Sequence, residues 1–231
     1  MMPVFLLLHF TIQALPFQDP TLARAGDDHG HRILLLGDSH LMGEYGIHLV
    51  EELSRFGHVL SIAIGGAGSR DFSRGRLWDV CCGYDIREKG RFDLAVRKVE
   101  LGRRRFQIAY AKYNGFLTAL LYDYRPTAIV LHLGNNQSDE HQALLDELRR
   151  ITLAPVFWIG VIDCDGSRSV NRRIRDVVAR NPNVFYVPND DLSYLKINRK
   201  CDYHFAGDLA RRWATENATR ILGVLGLRPA P

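Results

Sequence analysis

Short apolar runs alternate with amphipathic stretches along most of this 231-residue chain. Ile33-Leu34-Leu35-Leu36 contains no polar position. It predicts a strand buried on both faces, as in a parallel sheet covered by helices. The run stops at Gly37-Asp38-Ser39. Over 41–56 apolar residues recur every third or fourth position (Leu41, Tyr45, Leu49, Leu53, Phe56) and Gly57 follows, which predicts a helix closed by glycine. Further strands are predicted over 58–64, ended by Gly65-Gly66-Ala67-Gly68, and over 128–133, ended by Gly134-Asn135-Asn136. Two more are predicted over 156–162 and 184–187. Helices are predicted over 139–151, behind Ser138 as N-cap, over 169–180, and from about 205 to 224. Strands separated by helices give an α/β fold: a three-layer α/β/α sandwich around a doubly wound parallel sheet of five strands.

Two segments depart from this rhythm. Residues 1–28 carry a short apolar stretch, 3–10, and Ala23-Arg24-Ala25, which has the small-x-small form of a signal-peptidase site. No Lys or Arg precedes Leu8. The alternatives are an exported protein, periplasmic or extracellular, and a cytoplasmic one with an N-terminal tail set apart from a domain over 29–231. Residues 70–112 are polar and Arg-rich, with Cys81-Cys82-Gly83 and Arg103-Arg104-Arg105. A connection this long between core strands usually has a function or structure of its own, and a partly helical cap over the site is expected.

Composition narrows the classes. With 46% hydrophobic and 24% charged residues the chain has the balance of a globular domain, far from the signature of disorder. No apolar run reaches the ~18–20 residues of a membrane span. A net charge of +4 is mild; the Arg103–Arg105 run reads as a solvated helix face, and no nucleic-acid partner is expected. The four cysteines form no C-x-x-C pair, which leaves zinc-ribbon and thioredoxin readings unsupported. Cys164 and Cys201 fall on the same rim of the expected sheet and would bridge in an oxidising compartment. His29 and His31, beside Asp27 and Asp28, read as a polar linker. Gly66-x-Gly68 lacks the third glycine of a dinucleotide loop.

In a doubly wound sheet, ligands bind beyond the carboxyl ends of the strands. That rule gathers Gly37-Asp38-Ser39-His40, Gly65 to Gly68 and Gly134 to Gln137 into one crevice. A serine needs a base to become a nucleophile. His204, in Cys201-Asp202-Tyr203-His204 before the last helix, is the expected base, and Asp202 the carboxylate that orients it. The amides of Ser39 and Gly68 and the side chain of Asn136 form the expected oxyanion hole.

These blocks, in this order, resemble the SGNH (GDSL-like) hydrolases: G-D-S near the N-terminus, a glycine after the second strand, G-x-N after the third, and D-x-x-H before the last helix. Gly37-Asp38-Ser39-His40-Leu41-Met42-Gly43 is similar to the G-D-S-H-x-x-G form of bacterial members, and His204-Phe205-Ala206-Gly207 to the entry of their last helix. The resemblance covers roughly residues 31 to 224. It implies the flavodoxin-like SGNH fold and an ester hydrolase that works through an acyl-enzyme without metal or cofactor. The implied substrate is a small-molecule or carbohydrate ester, with O-acetyl groups of carbohydrate or cell-wall polymers foremost. The alternatives are an acyltransferase or a lysophospholipase/thioesterase on the same catalytic parts, and a carbohydrate-binding protein that keeps the fold without turnover. Two positions depart from the family pattern. Cys201 stands three residues before His204, with Asp202 one position late, so either Asp202 still reaches the imidazole or a Ser–His dyad operates with a backbone carbonyl. Gln137 replaces the Asp of G-x-N-D.

Overall fold

The computed structural model describes residues 30–74, 84–89, 94–95, 116–134, 136, 140–162, 168–189, 192 and 204–227. Their strands are β1 (Arg32–Gly37), β2 (His58–Ile64), β3 (Tyr84–Lys89), β4 (Leu94–Ala95), β5 (Ala128–His132), β6 (Val156–Ile159) and β7 (Val184–Val187). The helices are α1 (Ser39–Met42), α2 (Glu44–Leu53), α3 (Ser69–Ser73), α4 (Phe116–Tyr124), α5 (His141–Ile151), α6 (Arg168–Ala179) and α7 (Gly207–Val224). The sheet is mixed and mostly parallel, in the order β4-β3-β2-β1-β5-β6-β7.

β1 pairs in parallel with β2 on one side and with β5 on the other. Chain order therefore reverses at β1, and the rule for such a switch point directs a ligand to the strand ends at Gly37 and His132. Alternation along β1 sets the layers. Leu34 and Leu36 enter one apolar cluster with residues of α3, α4, α5 and α6, whereas Ile33 and Leu35 enter a second with α2 and α7. All four are fully buried, and each such side chain contributes about 1.5–3 kcal/mol. The absence of polar residues in this run thus reflects helices on both faces.

The expectation of a parallel sheet of five strands needs correction, because the described residues alone contribute seven strands to a mixed sheet. The five predicted strands are β1, β2, β5, β6 and β7, and the other two come from the stretch read as a partly helical cap. β3 pairs antiparallel with β2, with Ile62 opposite Ile86 and Ala63 opposite Asp85, and β4 pairs antiparallel with β3. Within 70–112 the described residues thus extend the sheet edge, apart from the end of α3. The predicted helix over 41–56 is also two helices. Gly43 is extended (φ −83°, ψ −170°) and caps both, which lets α2 fold back until a Cβ on Gly46 would lie 1.9 Å from the Leu41 carbonyl oxygen. No helix among the described residues is long and apolar enough to cross a membrane.

Candidate active site

The end of β1 is built for close approach. A Cβ on Gly37 would meet the Leu41 side chain at 2.4 Å and the His132 carbonyl at 3.0 Å, so any larger residue between α1 and β5 would have to displace the buried Leu41 side chain. Asp38 follows as the N-cap of α1. Its amide donates to the His132 carbonyl (3.3 Å), and its Oδ1 accepts from the His40 amide (3.0 Å) and the His40 ring Nδ1 (3.1 Å). Ser39, half-buried, opens α1, where the first amides have no intrahelical acceptor. From β3, Arg87 closes the other end of this one-turn helix, donating to the carbonyls of Leu41 (2.7 Å) and Met42 (2.6 Å) and pairing with Asp85.

The chain returns to this turn at the head of α7. The Gly207 amide donates to Glu44 Oε2 at 2.6 Å, fixing the start of α7 against the start of α2. Trp213 Nε1 donates to Asn189 Oδ1 (3.0 Å), and Asn189 Nδ2 donates to the Gly160 carbonyl (2.5 Å), anchoring α7 to the loops after β6 and β7. As a result the exposed His204 stacks on His40, ring centroids 5.2 Å apart and 24° from parallel. Beneath them lies an aromatic floor, with the Trp213 ring 3.7 Å from Tyr45 and 5.5 Å from His132.

Two buried groups in this floor have displaced proton affinities. Burial would push the Asp38 carboxyl up. The His40 hydrogen bonds, together with the attraction of the neighbouring imidazoles, outweigh that and hold it below the ordinary carboxylate value. His132 goes the other way. Burial drives it down to about 4, against the pull of the Asp38 carboxylate, so it is neutral at pH 7.

The expected site residues are brought together unevenly. Ser39 and His204 both adjoin His40, one along the chain and the other by stacking, but no hydrogen bond joins Ser39 to His204 among the described residues. Asn136, exposed, donates one amide hydrogen to the Ala67 carbonyl (2.9 Å), which ties the loop after β5 to the loop after β2. Gly134 precedes it at φ +143°, a conformation that side chains rarely adopt. The buried Gly68 amide donates to Asp71 Oδ2 at 2.8 Å, the N3 side chain of α3 reaching back to its N-cap amide. That donor is thus engaged by a carboxylate. Asp202 and all four cysteines lie outside the described residues, as do residues 1–29, Gln137, Ser138 and Arg103 to Arg105. His40, His132 and Arg87 were not singled out from sequence. The available signal was His132, the one polar residue in the run 128–133. A scan against protein-family models gave no match for this chain, and a search of curated proteins found no relative.

Proposed function

We propose that this chain is a serine esterase of the SGNH type, hydrolysing short-chain acyl esters through an acyl-enzyme. The observation that carries the reading is the convergence at the switch point: Ser39 on the turn after β1 and His204 at the head of α7, drawn together around His40.

In this reading Ser39 Oγ attacks the ester carbonyl while His204 takes its proton, forming a tetrahedral oxyanion. The Ser39 amide and the second amide hydrogen of Asn136 stabilise that charge, each preorganised donor contributing about 2.7–4 kcal/mol. The Gly68 amide joins them only if Asp71 releases it. Collapse expels the alkoxide, which receives the proton from His204. A water then repeats the sequence on the acyl-enzyme and releases the carboxylic acid. Asp202, or a backbone carbonyl in its place, orients His204. The crevice lies at the open ends of the strands beside α1, and an O-acetyl group on a carbohydrate or cell-wall polymer is the proposed substrate class.

The test is hydrolysis of p-nitrophenyl acetate and p-nitrophenyl octanoate by wild type and Ser39→Ala, with circular dichroism to establish folding. The expected result is acetate turnover whose kcat falls by about 10³-fold or more in Ser39→Ala. A clear preference for octanoate moves the substrate class to lipids or thioesters. Turnover that survives Ser39→Ala removes Ser39 as nucleophile. A second reading, a carbohydrate-binding protein without turnover, draws support from the Gly68–Asp71 bond, and inertness toward both esters would favour it.

A further inference from the structure

Asp38, His40 and His132 form a cluster that the esterase chemistry does not use. Each offers one ligand atom, all within 4.8 Å of one another, and all three residues are buried. They stand on three fixed points: the end of β1, the first turn of α1 and the last position of β5. The Asp38 amide to His132 carbonyl bond, at 3.3 Å, locks two of those points together.

We propose that this cluster binds one divalent transition-metal ion of the zinc class beneath the Ser39 turn. Three observations carry the assignment. One carboxylate and two imidazoles are a borderline-soft donor set suited to Zn²⁺ and its neighbours. The spacing fits as well. Ligand atoms bonded at about 2.1 Å around a tetrahedral ion stand about 3.4 Å apart, and Asp38 Oδ1 lies 3.1 Å from His40 Nδ1 and 4.0 Å from His132 Nδ1. Movements of well under an ångström bring both separations to that value, and the third, between the two imidazoles, is at most 4.8 Å. Finally, His132 is 1% exposed, and neither ring nitrogen has a hydrogen-bond partner among the described residues. Buried polar groups without a partner are rare in folded proteins and call for an explanation such as an ion.

The His40 Nδ1 proton is held in a bond to Asp38 Oδ1. Binding moves that proton to Nε2 or to solvent and replaces one hydrogen bond by two metal bonds. A tetrahedral ion held by three residues keeps one position for a water.

The experiment uses the full-length chain, stripped with chelator and titrated with ZnCl₂ by calorimetry, followed by X-ray absorption at the zinc edge. One equivalent should bind with Kd below ~1 μM, in the range of protein metal sites, and the first shell should contain two imidazoles, oxygen and no sulfur. His29→Ala/His31→Ala must leave binding unchanged, whereas His132→Leu must weaken it by about 100-fold or more, beyond the cost of losing an outer-shell partner. The proposal fails if no equivalent binds with Kd below ~1 μM. It fails equally if sulfur enters the shell, if the two N-terminal histidines carry the binding, or if a folded His132→Leu protein keeps it. Should His132→Leu not fold, the wild-type shell and the N-terminal variant decide alone.

Discussion

Replacing Arg87 by Met should cost stability far beyond an ordinary surface change. Arg87 is 7% exposed, and its guanidinium makes three contacts at once: the carbonyls of Leu41 and Met42 and the carboxylate of Asp85. Asp85 is itself 8% exposed; its Oδ2 accepts from Arg87, and its Oδ1 has no hydrogen-bond partner among the described residues. Met fills much of the volume but leaves the carboxylate buried and uncompensated, a loss of about 3–5 kcal/mol in comparable pairs. The two freed carbonyls close the turn that presents Ser39, and each hydrogen bond to a charged donor contributes about 1.5–3 kcal/mol. Because the site can relax, the contributions do not simply add, and about 3–5 kcal/mol is expected against a total of about 5–15. Urea denaturation at pH 7 measures it, provided the slope m is unchanged. Arg87→Met/Asp85→Leu should recover part of the loss, since it removes the stranded charge. A loss under about 1 kcal/mol, or a double variant at least as unstable as the single one, would refute the argument that β3 braces α1 through this pair.

Gly46→Ala should destabilise at or above the upper end of the roughly 1–3 kcal/mol typical of overpacking, because its Cβ would meet backbone atoms of Leu41 rather than a movable side chain. Gly223→Ala, in α7 with nothing within 4 Å, should be neutral or stabilising by up to ~1 kcal/mol; equal losses for both, by thermal melts, would contradict the packing of α1 on α2. In chelator-treated protein, His132 is neutral in both folded and unfolded states above its ordinary value of about 6.5. As pH falls from there to about 4, only the unfolded chain takes up the proton, and roughly 3 kcal/mol of stability is lost. Stability curves of wild type and His132→Leu that run parallel between pH 6.5 and 4.5 would contradict that burial.

The central parallel strands were legible because β1, β5 and β6 are buried on both faces, and a residue string such as Ile33 to Leu36 has few other uses. The edge was not. Tyr84 to Lys89 is mostly polar and charged, a composition depleted in strands. Its buried positions hold Asp85 and Arg87, whose burial depends on each other and on α1 and leaves no periodic trace. The break at Gly43 was hidden because the apolar spacing continues through it: Leu41 and Tyr45 stay on one face although the backbone between them is extended. At the site, Ser39, Asn136 and His204 were legible as small or reactive residues at element ends. His132 was masked by its apolar neighbours, and the engagement of Gly68 by Asp71 depends on a capping bond three residues long that competes with the expected role.

The central claim is that Ser39 is the nucleophile of an esterase. A fluorophosphonate reacts irreversibly with a serine only where that serine is activated by a base. Full-length protein should be treated with the probe, digested and mapped by mass spectrometry, with p-nitrophenyl acetate hydrolysis followed in parallel. The account predicts one phosphonylated residue, Ser39, with hydrolysis lost in proportion to labelling and no labelling in a folded His204→Ala variant. Hydrolysis that persists without modification of Ser39, or a label carried by a different serine, would contradict it.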